Sequence, residues 1–186
     1  MKLFLFVLLL SSVLTSAKHY KCNNKLSCGC GSSNVEINAY IINGEQAIRC
    51  SWPMIVSLRY DFIHKNLSKH ICGGTILTDL YILTAASCFE VIIDDIKLAN
   101  ISIAVGIHSR SESNQIIRKV DQIIIHQNWT RSQNIYHHDI ALLHLSQPLN
   151  FHMNSCITQT CLPSQLNTSE ELMQYPSADK SLVVVG

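Results

Sequence analysis

From Ile41 onward the chain is cut into short runs of β-branched and aliphatic residues, each closed by a polar turn: PMIVSLRY, GGTILTDLYILTAA, NISIAVGIHS, IIRKVDQIIIH and DIALLHLSQPL. Runs of roughly five to eight such residues at regular spacing are what the strands of an antiparallel sandwich or barrel look like. Each strand needs an apolar face and then a turn before its neighbour. A helical bundle needs apolar residues every three or four positions over longer stretches. Only a weak pattern of that kind occurs, near residues 164–175, and no internal repeat is present. The expectation is an all-β antiparallel fold, with the closing SLVVVG read as the opening of one more strand.

Ahead of these runs the chemistry changes twice. Lys2 is followed by an apolar run to Leu10 and then by small residues up to Ala17. That order predicts a secretory signal peptide over residues 1–17, cut after Ala17. Its apolar core is far shorter than the roughly 20 residues a bilayer span needs, so no membrane span is expected in the mature chain. Residues 18–40, with CNNKLSCGCGSSN, are dense in Cys, Gly, Ser and Asn and read as an irregular, cross-linked leader. Eight cysteines and the sequons at Asn66, Asn100, Asn128 and Asn167 agree with an oxidising, extracellular destination and with glycosylation. A net charge of +1 gives no electrostatic ground for a nucleic-acid partner.

Taken as an ordered set, the runs resemble the N-terminal half of the chymotrypsin-like (trypsin, S1) serine peptidases. IINGEQA resembles the family's mature N-terminus, and SWPMIVSL its first barrel strand. CGGTILTDLYILTAASC resembles the strand pair leading to the catalytic histidine. HQNW followed by HHDIALLHLSQPLNF resembles the segment carrying the catalytic aspartate, CLP the end of the first barrel and VVVG the start of the second. The resemblance implies two six-stranded antiparallel Greek-key barrels with the active site in the cleft between them. Residues 41–186 would then be a partial S1 domain: the first barrel, ending at the start of the second.

Peptide hydrolysis in that family needs a serine nucleophile, an imidazole that accepts and returns its proton near neutral pH, and a buried carboxylate that orients the imidazole. Carried over residue by residue, Asp139 in HDIALL falls on the carboxylate position, and Ser87 in TAASC falls on that of the histidine. The nucleophile's position belongs to the half of the domain this chain does not supply. A hydroxyl is not basic at neutral pH and is too short to bridge an imidazole-sized gap. Losing the histidine alone costs on the order of 10⁶ in turnover, roughly 8 kcal/mol of barrier lowering. Asp139 is then expected to be structural, held by backbone N–H groups or by Ser87 itself.

Substitutes are poor. His137 and His138 adjoin Asp139, but alternation along a strand should turn His138 away from the carboxylate. His126, His108 and His70 read as solvated or locally bonded. No His or Cys pair shows zinc spacing, and Ile107 stands where calcium-binding relatives carry a glutamate, so no metal and no cofactor are expected. The resemblance also implies a Cys72–Cys88 bridge and a tether from Cys161 to Cys28 or Cys30; Cys50 and Cys156 are extra to the family's pattern, and their pairing is the remaining expectation. Relatives are activated by a cut after a basic residue, whereas Tyr40 precedes Ile41 here.

Three functional readings follow. The first is a secreted, catalytically inactive homologue, at most a binding protein that meets a protein partner on an exposed barrel face. The second is a serine endopeptidase represented by an incomplete chain; it needs both a nucleophile and a base restored. The third is a truncated product without function of its own.

Overall fold

The computed structural model describes residues 18–20, 28–31, 35–37, 46–62, 65–95, 100–132, 135–162 and 185. The signal segment 1–17, the Tyr40–Ile41 junction, Asn167 and the weak helical pattern at 164–175 lie outside the described residues.

Six strands close into one barrel: β3 (Ile55–Phe62), β4 (Leu67–Ile76), β5 (Tyr81–Thr84), β6 (Ile101–Val105), β7 (Ile116–Ile125) and β10 (Ala141–Leu145). Their order around the barrel is β10-β5-β4-β3-β6-β7, and every neighbouring pair is antiparallel. β3, β4 and β5 follow one another as a meander, and β6 returns by a long connection to lie beside β3. That arrangement is a Greek key. Outside the barrel lie two small ladders, β1 (Lys18–Tyr20) with β2 (Val35–Ile37) and β8 (Thr130–Ser132) with β9 (Ile135–His137). The first of these falls inside the leader expected to be irregular throughout. Its three-residue strands are too short for any apolar period to register.

The interior follows from the sequence pattern. β10 alternates strictly, with Ala141, Leu143 and Leu145 buried, while all five residues of β6 are buried. Val56, Leu58, Ile76, Ile82, Ile103 and Val105 complete the centre of the cluster. Each such aliphatic side chain stabilises the fold by about 1.5–3 kcal/mol through loss of water contact. Gly74 lets β4 and β5 approach closely: a Cβ there would meet Ile82 Cγ2 at 3.0 Å and the Leu83 carbonyl oxygen at 3.1 Å.

After β5 the chain turns into a 3₁₀ segment, Ala86–Asp95, which the strand pattern did not predict. Ala86 and Phe89 are fully buried and anchor it, and a Cys72–Cys88 disulfide ties its start to β4. Two longer links join the N-terminal portion to the end of the barrel. Cys28 is bonded to Cys161 and Cys50 to Cys156, across 133 and 106 residues respectively. Cys30 is disulfide-bonded as well, and no cysteine among the described residues is free.

Candidate functional site

Antiparallel pairing of β5 with β10 sets the site. Ala141 lies opposite Thr84, so the residues just after β5 face those just before β10. Ser87 opens the 3₁₀ segment on one side, and Asp139 sits in the approach to β10 on the other. A tight three-residue turn, closed by the Ile140 N–H donating to the His138 carbonyl at 2.8 Å, presents the Asp139 carboxylate. Both of its oxygens are taken by Ser87. The backbone N–H donates to Oδ1 at 2.7 Å and the side-chain hydroxyl to Oδ2 at 2.8 Å. The two residues are half-buried, which strengthens both charge-assisted bonds.

No histidine bonds to Asp139 among the described residues. His138 has φ of 51°, so it is not an extended strand residue, and the alternation expected of it does not apply. Its ring lies on that of His126, with centroids 4.8 Å apart and planes 8° from parallel. His126 Nδ1 in turn accepts from the Asn128 N–H at 3.1 Å. His108 Nε2 lies 2.8 Å from the Gln46 amide nitrogen, and His144 Nδ1 lies 2.6 Å from Asp121. His137 is exposed on β9. The arrangement holds the Asp139 carboxylate in a closed clamp with Ser87, and among the described residues no histidine is bonded to it.

Asp139 and Ile140 line an open depression of about 940 Å³, along with Trp52, Ile55, Leu83 and Ile107. Ser57 and His70 also line it and belong to a second polar group, of which only His70 was singled out from the sequence. Ser57 Oγ lies 2.8 Å from His70 Nδ1, and Arg59 Nε donates to the same hydroxyl at 3.3 Å. Arg59 is only 7% exposed, and burial lowers its pKa. Burial, followed by the charges of Arg110 and Arg59, also lowers that of His70. A signal for this group did exist. Counting the β3–β4 hairpin back from the Phe62–Leu67 pair puts His70 opposite Arg59.

The β8–β9 ladder is fastened beside Ser87. Arg131 forms an ion pair with Glu90, and the Tyr136 hydroxyl donates to the other Glu90 oxygen at 2.9 Å. These bonds, the one from Arg131 foremost, hold the Glu90 carboxyl below the usual carboxylate range. Among the described residues no group of three or more His, Cys, Asp or Glu could hold a metal ion, and no helix is long and apolar enough to cross a membrane. Of the sequons within the described residues, Asn66 and Asn128 are exposed and Asn100 is half-buried.

The Trypsin family matches residues 41–180. Chymotrypsin-C of Mus musculus is 30% identical over 144 residues, covering 75% of this chain and 48% of that protein. Chymotrypsin-like elastase family member 1 of Canis lupus familiaris is 30% identical over 132 residues, 70% of this chain and 47% of the relative. Ovochymase of Halocynthia roretzi is 37% identical over 150 residues, 76% of this chain but 9% of that longer protein. The chain thus spans about half the length of the chymotrypsin and elastase relatives it matches.

Proposed function

Because the chain belongs to the trypsin family of serine peptidases, we propose that it is a secreted, catalytically silent member in which Ser87 occupies the place of the general-base imidazole. The observation that carries this reading is the pair of hydrogen bonds that Ser87 donates to Asp139, from its N–H at 2.7 Å and its hydroxyl at 2.8 Å. A carboxylate that would orient an imidazole is here satisfied by a serine. Asp139 is then a structural acid closing the β5–β10 end of the barrel. A longer protein containing this segment would still carry Ser87 at the base position, and that weighs against the endopeptidase reading as well.

What remains is association. The depression beside Asp139 offers Trp52, Ile55, Leu83, Ile107 and Ile140 to a protein partner. The N-terminal apolar run and the disulfide links support an extracellular location. The reading is tested by exposing chain purified from the medium of secreting cells to a fluorophosphonate serine-hydrolase probe and to a peptide-amide substrate series. Neither labelling nor hydrolysis above the rate of buffer is expected. Probe attached covalently to a serine of this chain would sink the inactive reading, and retention of the chain in the cytosol would sink the secreted one.

A further inference from the structure

The sequons differ in what the fold does with their amide groups, and the difference selects among them. Asn66 sits at the exposed tip of the β3–β4 hairpin with φ of 47°, in the left-handed region that asparagine tolerates better than most residues. No hydrogen bond holds its side chain among the described residues. Asn128 is also exposed, in the turn between β7 and β8, where its backbone N–H is anchored on His126 while its side-chain amide makes no bond among the described residues. Asn100 is different. It is half-buried at the mouth of β6, and its amide nitrogen donates to the Tyr60 hydroxyl at 3.2 Å. Tyr60 itself packs on the core.

From these placements we infer that the folded protein carries N-linked glycans on Asn66 and Asn128 and none on Asn100. The step is a group transfer from a lipid-pyrophosphate-linked oligosaccharide. The amide nitrogen forms a bond to the anomeric carbon and gives up one proton. The bond from that carbon to the pyrophosphate oxygen breaks, and the lipid pyrophosphate leaves with the electron pair. On Asn66 and Asn128 the sugar extends into water. On Asn100 it would have to enter a half-buried site against Tyr60, so chains modified there lose that contact and are depleted from the folded, exported pool.

The position of Asn128 gives its glycan a consequence. The turn 126–129 hangs on the approach to β10, with the His126 N–H donating to the Ile140 carbonyl at 3.1 Å and the Trp129 N–H to the His126 carbonyl at 2.9 Å. The His126 ring rests on His138, the neighbour of Asp139. A glycan on Asn128 therefore stands beside the Asp139 end of the depression and limits which partners reach it.

The inference rests on the secretory reading, and the experiment separates the two. The full chain, with Asn167→Gln to remove the sequon outside the described residues, is expressed in secreting animal cells. Exported protein is released from its glycans by an amidase in ¹⁸O-water, which marks each formerly glycosylated asparagine as a heavy aspartate for peptide mass spectrometry. Marks at residues 66 and 128, with residue 100 unmarked, are expected, and Asn66→Gln and Asn128→Gln each remove one glycan from the electrophoretic ladder while Asn100→Gln removes none. Exported chain marked at residue 100, or unmarked at 66 or 128, overturns the inference alone. Chain that never enters the secretory pathway overturns the inference and the secretory reading together.

Discussion

The barrel interior and its β5–β10 mouth obey different rules. Inside, Ile76, Ile82, Ile101, Ile103, Leu143 and Leu145 have no exposure at all, and aliphatic side chains make up most of the cluster, with the small hydroxyl of Ser102 buried beside them. At the mouth, Ser87 and Asp139 are half-buried and satisfy each other, and on the neighbouring β3–β4 pair the buried Ser57 and Arg59 close on His70. An interior of this kind can be kept by any selection that keeps the fold. A mouth of this kind records chemistry, because buried polar groups cost stability unless each finds a partner. Here the partners close on one another. On the proposed reading, a family barrel keeps its packing while its polar end serves structure.

The sharpest way to break this contrast is to attack the residue that joins the two regions. Phe89 is fully buried, yet it lies on the same 3₁₀ segment as Ser87. Phe89→Ala should cost about 3–5 kcal/mol, the range for a large aromatic deleted from a packed core. Urea unfolding monitored by tryptophan fluorescence reads the change. A loss under about 1 kcal/mol would mean that the segment is not docked on the barrel, and the clamp on Asp139 would lose its footing. Next in size is the Cys72–Cys88 bridge, which closes a loop of 16 residues. Replacing both cysteines by alanine should cost about 3 kcal/mol through the freer unfolded chain. Equal unfolding midpoints with and without the bridge would contradict that.

Smaller, but closer to the functional reading, is the clamp itself. Asp139→Ala leaves the Ser87 N–H and hydroxyl without their acceptor and should destabilise by about 1–3 kcal/mol. Ser87→Ala removes only the hydroxyl bond and should cost about 1 kcal/mol, and the double variant should show coupling of similar size. Purely additive effects would mean that the carboxylate and the serine do not support each other, and Asp139 would need another role. The peptidase-like alternative expects the opposite signature, stability unchanged and a hydrolytic rate altered.

Much of this architecture was legible in the chain because barrel strands advertise themselves. ALLHL carries its alternating burial in its own letters, whereas ISIAV also buries its polar Ser102. The resemblance drew attention to Ser87 and Asp139, but their meeting depends on the Ala141–Thr84 register, which no local pattern spells out. The Ser57, His70 and Arg59 group was missed for a related reason. A serine and an arginine two apart on one strand look like an ordinary polar face until a histidine is placed opposite them by counting the hairpin. For His138 the premise of strand alternation does not apply, because its φ is positive. The β1–β2 ladder escaped because three residues are too few to show a period.

The smallest expected effect probes the loop after β6, whose His108 and Ser109 also line the depression. Glu112 receives a bidentate pair from Arg49, at 2.8 and 3.0 Å, and backbone N–H bonds from His108 and Ser109. Arg49 first, then the Ser109 N–H, pull its pKa down to about 2 from an ordinary 4.5. A carboxylate whose folded pKa is depressed contributes stability that is present above its unfolded pKa and is lost as pH falls through the folded one. The window here is from about pH 4.5 down to about 2. Because the pair is solvent-exposed, screening keeps its worth small. Glu112→Gln should thus lower the thermal midpoint slightly at pH 6 and less at pH 2, so the midpoints of the two proteins converge as acid is added. Asp61 and Glu90, whose pKa values are also lowered, titrate in both proteins and cancel in the difference. Midpoints that stayed a constant distance apart from pH 6 to pH 2 would show that Glu112 contributes packing alone. The loop would then be held beside the depression by its backbone turns, independently of the Arg49 charge.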